Sequence, residues 1–243
     1  MHTPSAATVD VIGHRGASAY VREHTVEAFE LALRQGASML ELDVRATAEG
    51  DLVAVHDATL LRTAHDPRRI SRLTRADLLA LDPLRRPLTL DSVLERYGRR
   101  TRLLIDLKHP TAGSEQRIIS VLKRHGLAGE AIVQSFDTTA LRRLRHASPS
   151  LAVAPLYRVA PTNRRLRAIT SYAGGIGVWH TGIDAALVLR AHAAGIAVRA
   201  WTVNDPDEMM RLVALGVDGI ITDVPDVAHA VVERAAAATP RAA

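Results

Sequence analysis

A chain of 243 residues can build one large α/β domain or two small ones, and its 47% of hydrophobic side chains is ample for a sizeable core. Its formal charge of +5 is spread along the sequence as 29 arginines and two lysines among 26 acidic residues, and its eight aromatics sit in no RNA-binding signature, so no nucleic-acid partner is expected. There is no cysteine, which excludes disulfides and thiolate metal sites, and no run approaches the ~18 apolar residues of a membrane span, so stable membrane insertion is not expected.

Residues 1–8 carry neither a basic n-region nor an apolar h-region, so a cytoplasmic location is expected; they and residues 235–243 read as frayed tails of a single domain over 9–234. The first strand, Val9–Gly13, runs into Gly13-His14-Arg15-Gly16, and the helical pattern Thr25–Arg34 follows. The second strand, Met39–Val44, contains Glu41-Leu42-Asp43. A further strand-like run, Leu52–His56, comes too soon after it for a helix to intervene. A two-residue turn at Glu49-Gly50 folds this run back as a hairpin and sets His56 opposite Asp43.

From Ala58 to Pro87 the chain is Arg-rich and irregular, a small capping excursion before the helix Leu90–Tyr97. Strands then recur at Arg102–Leu107, Ala131–Phe136, Leu151–Tyr157, Gly175–Trp179, Ile196–Thr202 and Asp218–Thr222. Helical patterns alternate with them, such as Glu115–His125, Thr138–His146, Asp184–Ala194 and Pro206–Leu215, several closing on glycine (Gly126, Gly195, Gly216). Eight β/α units in this length predict an α/β fold, a (β/α)8 TIM barrel with a short capping excursion after the hairpin of the second strand. An open doubly wound sheet is the alternative.

Barrels place their working groups at the C-terminal ends of strands. Polar residues interrupt the apolar pattern there at His14-Arg15, at Glu41 and Asp43, at His56-Asp57 and at Asp106-Leu107-Lys108. Period-2 alternation sends Glu41 and Asp43 to the same side of their strand, and two inward carboxylates repel unless a cation lies between them. Asp106 adds a third oxygen donor. Hard carboxylates without thiolates suit one divalent cation, Mg2+ or Ca2+ with Mn2+ as an alternative, over zinc. Lys108, one of only two lysines, falls where a compact cation can meet phosphate.

At these positions the chain resembles the glycerophosphodiester phosphodiesterases. The motifs that carry the resemblance are His14-Arg15-Gly16, Glu41-Leu42-Asp43, His56-Asp57, Asp106-Leu107-Lys108, Gln134-Ser135-Phe136, Trp201-Thr202-Val203-Asn204 and Asp218-Gly219-Ile220-Ile221-Thr222-Asp223, in family order over roughly residues 9–230. The resemblance implies metal-dependent hydrolysis of a small-molecule glycerophosphodiester to sn-glycerol 3-phosphate and an alcohol. Carried over by position, it makes His14 and His56 the acid/base pair, Glu41, Asp43 and Asp106 the metal ligands, and Arg15, Lys108 and Trp201 substrate-binding residues. Asp106 stands where the family usually has Glu, and Arg22-Glu23-His24-Thr25 replaces its Pro-Glu-Asn-Thr. A lysophospholipase D activity and a silent phosphate-binding barrel are the alternatives.

Overall fold

The computed structural model describes residues 9–238. Strands β1 (Asp10–His14) and β2 (Met39–Ala46) precede three short ones, β3 (Leu52–Ala54), β4 (Thr59–Leu60) and β5 (Asp66–Arg69). Then come β6 (Arg102–Leu107), β7 (Ala131–Ser135), β8 (Ala152–Tyr157), β9 (Gly175–Trp179), β10 (Ala197–Trp201) and β11 (Gly219–Thr222). The main sheet runs β1-β11-β10-β9-β8-β7-β6-β2, and β1 also pairs with β2, so eight parallel strands close into a (β/α)8 barrel. Strand β3 is added antiparallel to β2.

The helices are α1 (Val26–Arg34), α2 (Leu61–Ala64), α3 (Arg75–Leu79), α4 (Leu90–Tyr97), α5 (Ser114–Arg124), α6 (Thr138–Ala147), α7 (Asn163–Ile169), α8 (Ala185–Ala193), α9 (Pro206–Leu215) and α10 (Pro225–Ala238). Helix α10 continues four residues into the stretch expected to fray from position 235, while residues 1–8 and 239–243 lie outside the described residues. Among the described residues no helix is long and apolar enough to cross a membrane. Two compact units can be distinguished: residues 9–23, 27–40 and 156–238 form one, and residues 24–26 and 41–155 the other.

In the first unit β1 lies in register with β11, Gly13 opposite Thr222, and β9 with β10, Trp179 opposite Trp201. Helix α1 approaches the loop after β1 so closely that a Cβ at Gly16 would come within 2.6 Å of the Ala28 backbone. Arg15 (φ 58°) and Gly16 (φ 89°) both adopt left-handed backbone, and only glycine combines that geometry with the missing side chain. This tight exit from β1 positions His14. Helix α9 shows why its sequence starts and stops where it does: Asp205 accepts from the Glu208 N–H, Pro206 occupies the first turn, and left-handed Gly216 ends it.

In the second unit the hairpin differs from the sequence expectation by one residue. Val44 pairs with Ala54, Arg45 with Val53 and Ala46 with Leu52, and the Val55 N–H donates to the Asp43 carbonyl at 2.9 Å. Val55, not His56, therefore stands opposite Asp43. The loop has three residues, Ala48 to Gly50, closed by Gly50 N–H to Thr47 C=O at 3.0 Å and by left-handed Gly50 (φ 84°), which shifts the pairing by one. The excursion that follows has structure of its own. Strands β4 and β5 pair antiparallel, Thr74 and Asp77 form a capping box on α3, and Val53, Val55, Leu60, Ile70, Leu73 and Leu78 make a buried cluster.

Candidate active site

Strands β2 and β6 bring three carboxylates together in the second unit. Glu41, Asp43 and Asp106 are 2%, 1% and 3% exposed, and one oxygen from each lies within 4.8 Å of the others. Lys108, just past the end of β6, reaches back to Asp106 Oδ2 at 2.5 Å and Asp43 Oδ1 at 3.0 Å. Burial works to lower the Lys108 ammonium, but the charges of Asp43, Asp106 and Glu41 and the hydrogen bond to Asp106 outweigh it and raise it above its ordinary range. Three carboxylates buried this closely repel one another, and a cation among them relieves that cost.

Oxygens ~2.0 to 2.6 Å from a common cation lie no more than about 5 Å apart, so the spacing suits a bound divalent ion. The all-oxygen donor set fits the hard cations rather than zinc. Asp106, although one methylene shorter than glutamate, reaches the cluster.

His24 joins the same group of residues. It is 6% exposed, and its Nε2 accepts the Asp43 backbone N–H at 3.0 Å and lies 3.5 Å from Asp43 Oδ2. An acceptor at Nε2 places the ring proton on Nδ1. His24 also has left-handed backbone, φ 55°, at the position where the family pattern has asparagine, the residue type that tolerates this conformation best after glycine. The substitution noted in the sequence thus lies against a carboxylate of the cluster. His56 sits two residues past β3 with its Nδ1 2.8 Å from Asp57 Oδ1. Asp57 also receives Arg62 Nε at 2.8 Å. Burial works to raise Asp57, but the hydrogen bonds from His56 and Arg62 prevail and hold it below the usual carboxylate range.

In the first unit His14 Nδ1 lies 2.6 Å from Asp223 Oδ1, just beyond the end of β11. Ser18 Oγ donates to the same oxygen at 2.7 Å, and Asn204 Nδ2 donates to Oδ2 at 2.6 Å. Asn204 is itself fixed, its Oδ1 accepting from the Asp223 N–H at 2.9 Å and from Thr222 Oγ1 at 3.1 Å. Burial pushes Asp223 upward, yet His14, Ser18 and Asn204 together hold it well below the usual carboxylate range. An ionised carboxylate only accepts, so Nδ1 of His14 carries the proton and Nε2 is left as the exchanging nitrogen. Asp57 fixes His56 in the same tautomer. The pairing is not diagnostic by itself, because His180 makes a similar contact with Glu208 at 2.7 Å.

Arg15 is held by Glu23 at 3.2 Å, and Trp201, at the end of β10, meets Trp179 edge to face with ring centroids 5.1 Å apart. Sequence reasoning assigned no role to Ser18, Asn204 or Asp223. The signal was present for two of them: Asn204 and Asp223 both close ordered motifs one to three residues past a strand end.

The model of the glycerophosphoryl diester phosphodiesterase family matches residues 14–227. A glycerophosphodiester phosphodiesterase of Bacillus subtilis is 31% identical over 90% of this chain and 85% of its own length. One from Caldanaerobacter subterraneus is 31% identical over 89% and 94%. Among solved structures, an Oleispira antarctica phosphodiesterase in complex with its product sn-glycerol 3-phosphate superposes with a TM-score of 0.81 at 28% identity, covering 92% of this chain and 96% of that one.

Proposed function

Because the chain belongs to the glycerophosphoryl diester phosphodiesterase family, we propose that it hydrolyses glycerophosphodiesters to sn-glycerol 3-phosphate and an alcohol. The observation that carries the reading is the buried Glu41, Asp43 and Asp106 cluster with its single lysine. In this proposal those three carboxylates hold one divalent cation, with Mg2+, Ca2+ and Mn2+ as the candidates. When bound, the ion supplies charge neutralisation at the non-bridging oxygens of the phosphodiester.

The protein's own groups do the rest. Lys108 is half-buried, charged and held by two carboxylates, so it presents a fixed positive charge for a phosphate oxygen. Arg15 is assigned to a second phosphate oxygen. His14 and His56 are the proton-transfer pair: one takes the proton of the attacking hydroxyl and the other protonates the departing alkoxide. Each is restrained at Nδ1 by a carboxylate, which favours transfer at Nε2. Trp201 is assigned to the organic part of the substrate. The family match supports reading residues 9–234 as one functional domain, since it runs across both compact units.

The test is release of sn-glycerol 3-phosphate from glycerophosphocholine and glycerophosphoglycerol, before and after EDTA and with each of the three cations restored. Hydrolysis that EDTA abolishes and a divalent ion restores is expected. Phosphate binding with no turnover on any diester would put the silent barrel in its place.

A further inference from the structure

The excursion between residues 58 and 87 holds seven arginines and three aspartates, so four of the chain's five net positive charges fall within it. Part of that charge is used internally. Arg62 pairs with Asp57 at 2.8 Å, Arg68 with Asp66 at 2.7 Å and Asp77 at 2.6 Å, and Arg75 with Asp51 at 2.9 Å. Arg86 folds inward and donates to the carbonyls of Leu78 and Leu79 at 3.0 and 2.6 Å. Arg69, Arg72 and Arg85 are exposed, and among the described residues no carboxylate pairs with any of them.

The same segment leaves large apolar side chains in water. Leu61, Leu79 and Leu84 are 58%, 58% and 81% exposed, three of the seven large hydrophobic residues in that state among those described. Want of a local core does not explain this. Leu60, Ile70, Leu73 and Leu78 of the excursion are buried together, with Ala64 and Leu81 packed against them, and the three exposed leucines lie outside that cluster. Leu79 and Leu84 belong to one neighbourhood, because Arg86 ties the end of α3 to the turn that follows it. Isolated exposed leucines are ordinary, but three of them in the same 30-residue segment as three exposed arginines without a carboxylate partner give that segment an interfacial composition.

We propose that the exposed surface of the excursion docks on an anionic lipid bilayer. Leu61, Leu79 and Leu84 enter the boundary of the acyl region, while Arg69, Arg72 and Arg85 meet lipid phosphates, for which the planar guanidinium offers paired donors. A bilayer is the occupant that matches both features at once: a negative surface attracts the arginines, and an apolar layer beneath it accepts short exposed side chains. The contact is peripheral and reversible, and it is independent of the reaction proposed above.

The test is co-sedimentation of the full chain with phosphatidylcholine vesicles, with and without about a third phosphatidylglycerol. Binding to the anionic vesicles that weakens with salt is expected, with little to the neutral ones. At about fivefold per arginine, the triple variant Arg69→Gln, Arg72→Gln, Arg85→Gln lowers partitioning roughly 100-fold. Leu79→Ser with Leu84→Ser lowers it while leaving the salt dependence in place. All five side chains are exposed, so both variants keep the wild-type melting temperature and hydrolysis of a water-soluble diester. Equal binding to both vesicles, no binding, or a triple variant that binds as wild type overturns the proposal. So does concentration-dependent self-association that the leucine variant abolishes, which would make the face a contact between copies.

Discussion

Asp223 touches no expected reacting atom, yet its influence on His14 is testable at the level of one oxygen. Its carboxylate accepts from His14 Nδ1 at 2.6 Å, and Asp223→Asn places an amide there that can donate instead, so the ring can shift its proton to Nε2. We expect kcat to fall by about two to four orders of magnitude with little change in KM, and the pH profile of kcat to move. An unchanged profile with an activity loss explained by lower Tm would make the residue merely structural. The two histidines can be separated by leaving group. His14→Ala and His56→Ala should each lower turnover of a natural diester by about two to four orders of magnitude. The variant lacking the general acid should regain most of that loss on a nitrophenyl diester, whose leaving group needs no proton. Near wild-type turnover in both variants would end the two-histidine reading.

At the scale of elements, the end of β9 is tied to α9 by Glu208, which accepts from His180 at 2.7 Å and from Arg211 at 2.6 Å. The hydrogen bond from Arg211 is the main cause holding Glu208 down to about 2, with burial opposing and His180 assisting. A depressed carboxyl contributes stability that is present above its unfolded value of about 4.3 and lost as pH falls through that value towards 2. The urea midpoint of wild type should therefore exceed that of Glu208→Gln at pH 6, and the gap, under about 1 kcal/mol for so open a network, should close by pH 2. A gap independent of pH would place the effect in packing.

The same scale shows what could be read from the sequence. All eight barrel strands were legible because apolar runs ending in glycine or polar residues recur at regular spacing. Helix α9 was legible because Asp205, Pro206 and Gly216 are local signals. The hairpin register was not: whether Glu49-Gly50 closes a two-residue or a three-residue loop depends on backbone angles that composition leaves open. Nor was the buried cluster of the excursion, whose leucines are spaced irregularly between arginines. For the site, carboxylates and histidines stood out by type, whereas Asp223 acquires its role only through a partner 209 residues away.

For the whole molecule, the buried acidic cluster couples cation binding to folding. Three carboxylates against Lys108 repel one another in the folded state, and unfolding returns them to water. A cation that binds only the folded chain therefore raises its stability in proportion to RT ln(1 + [L]/Kd), about 2.7 kcal/mol at a hundredfold excess over Kd. In a chain of this size that corresponds to a rise in Tm of roughly 5 to 10 °C. Glu41→Gln and Asp106→Asn each remove one of the repelling charges while keeping similar volume, so the metal-free variants should melt no lower than metal-free wild type, and their response to cation should shrink or vanish. The measurement is Tm by calorimetry in EDTA and with each cation titrated in, for wild type and both variants. Arg34→Gln, on the outer end of α1, is the control that leaves the response intact. If both carboxylate variants shift by as much as wild type, the ion binds elsewhere and the three-carboxylate site is wrong. If wild type shows no shift while EDTA still abolishes hydrolysis, the ion is recruited with substrate, and the cluster is completed by the phosphate rather than by the protein alone.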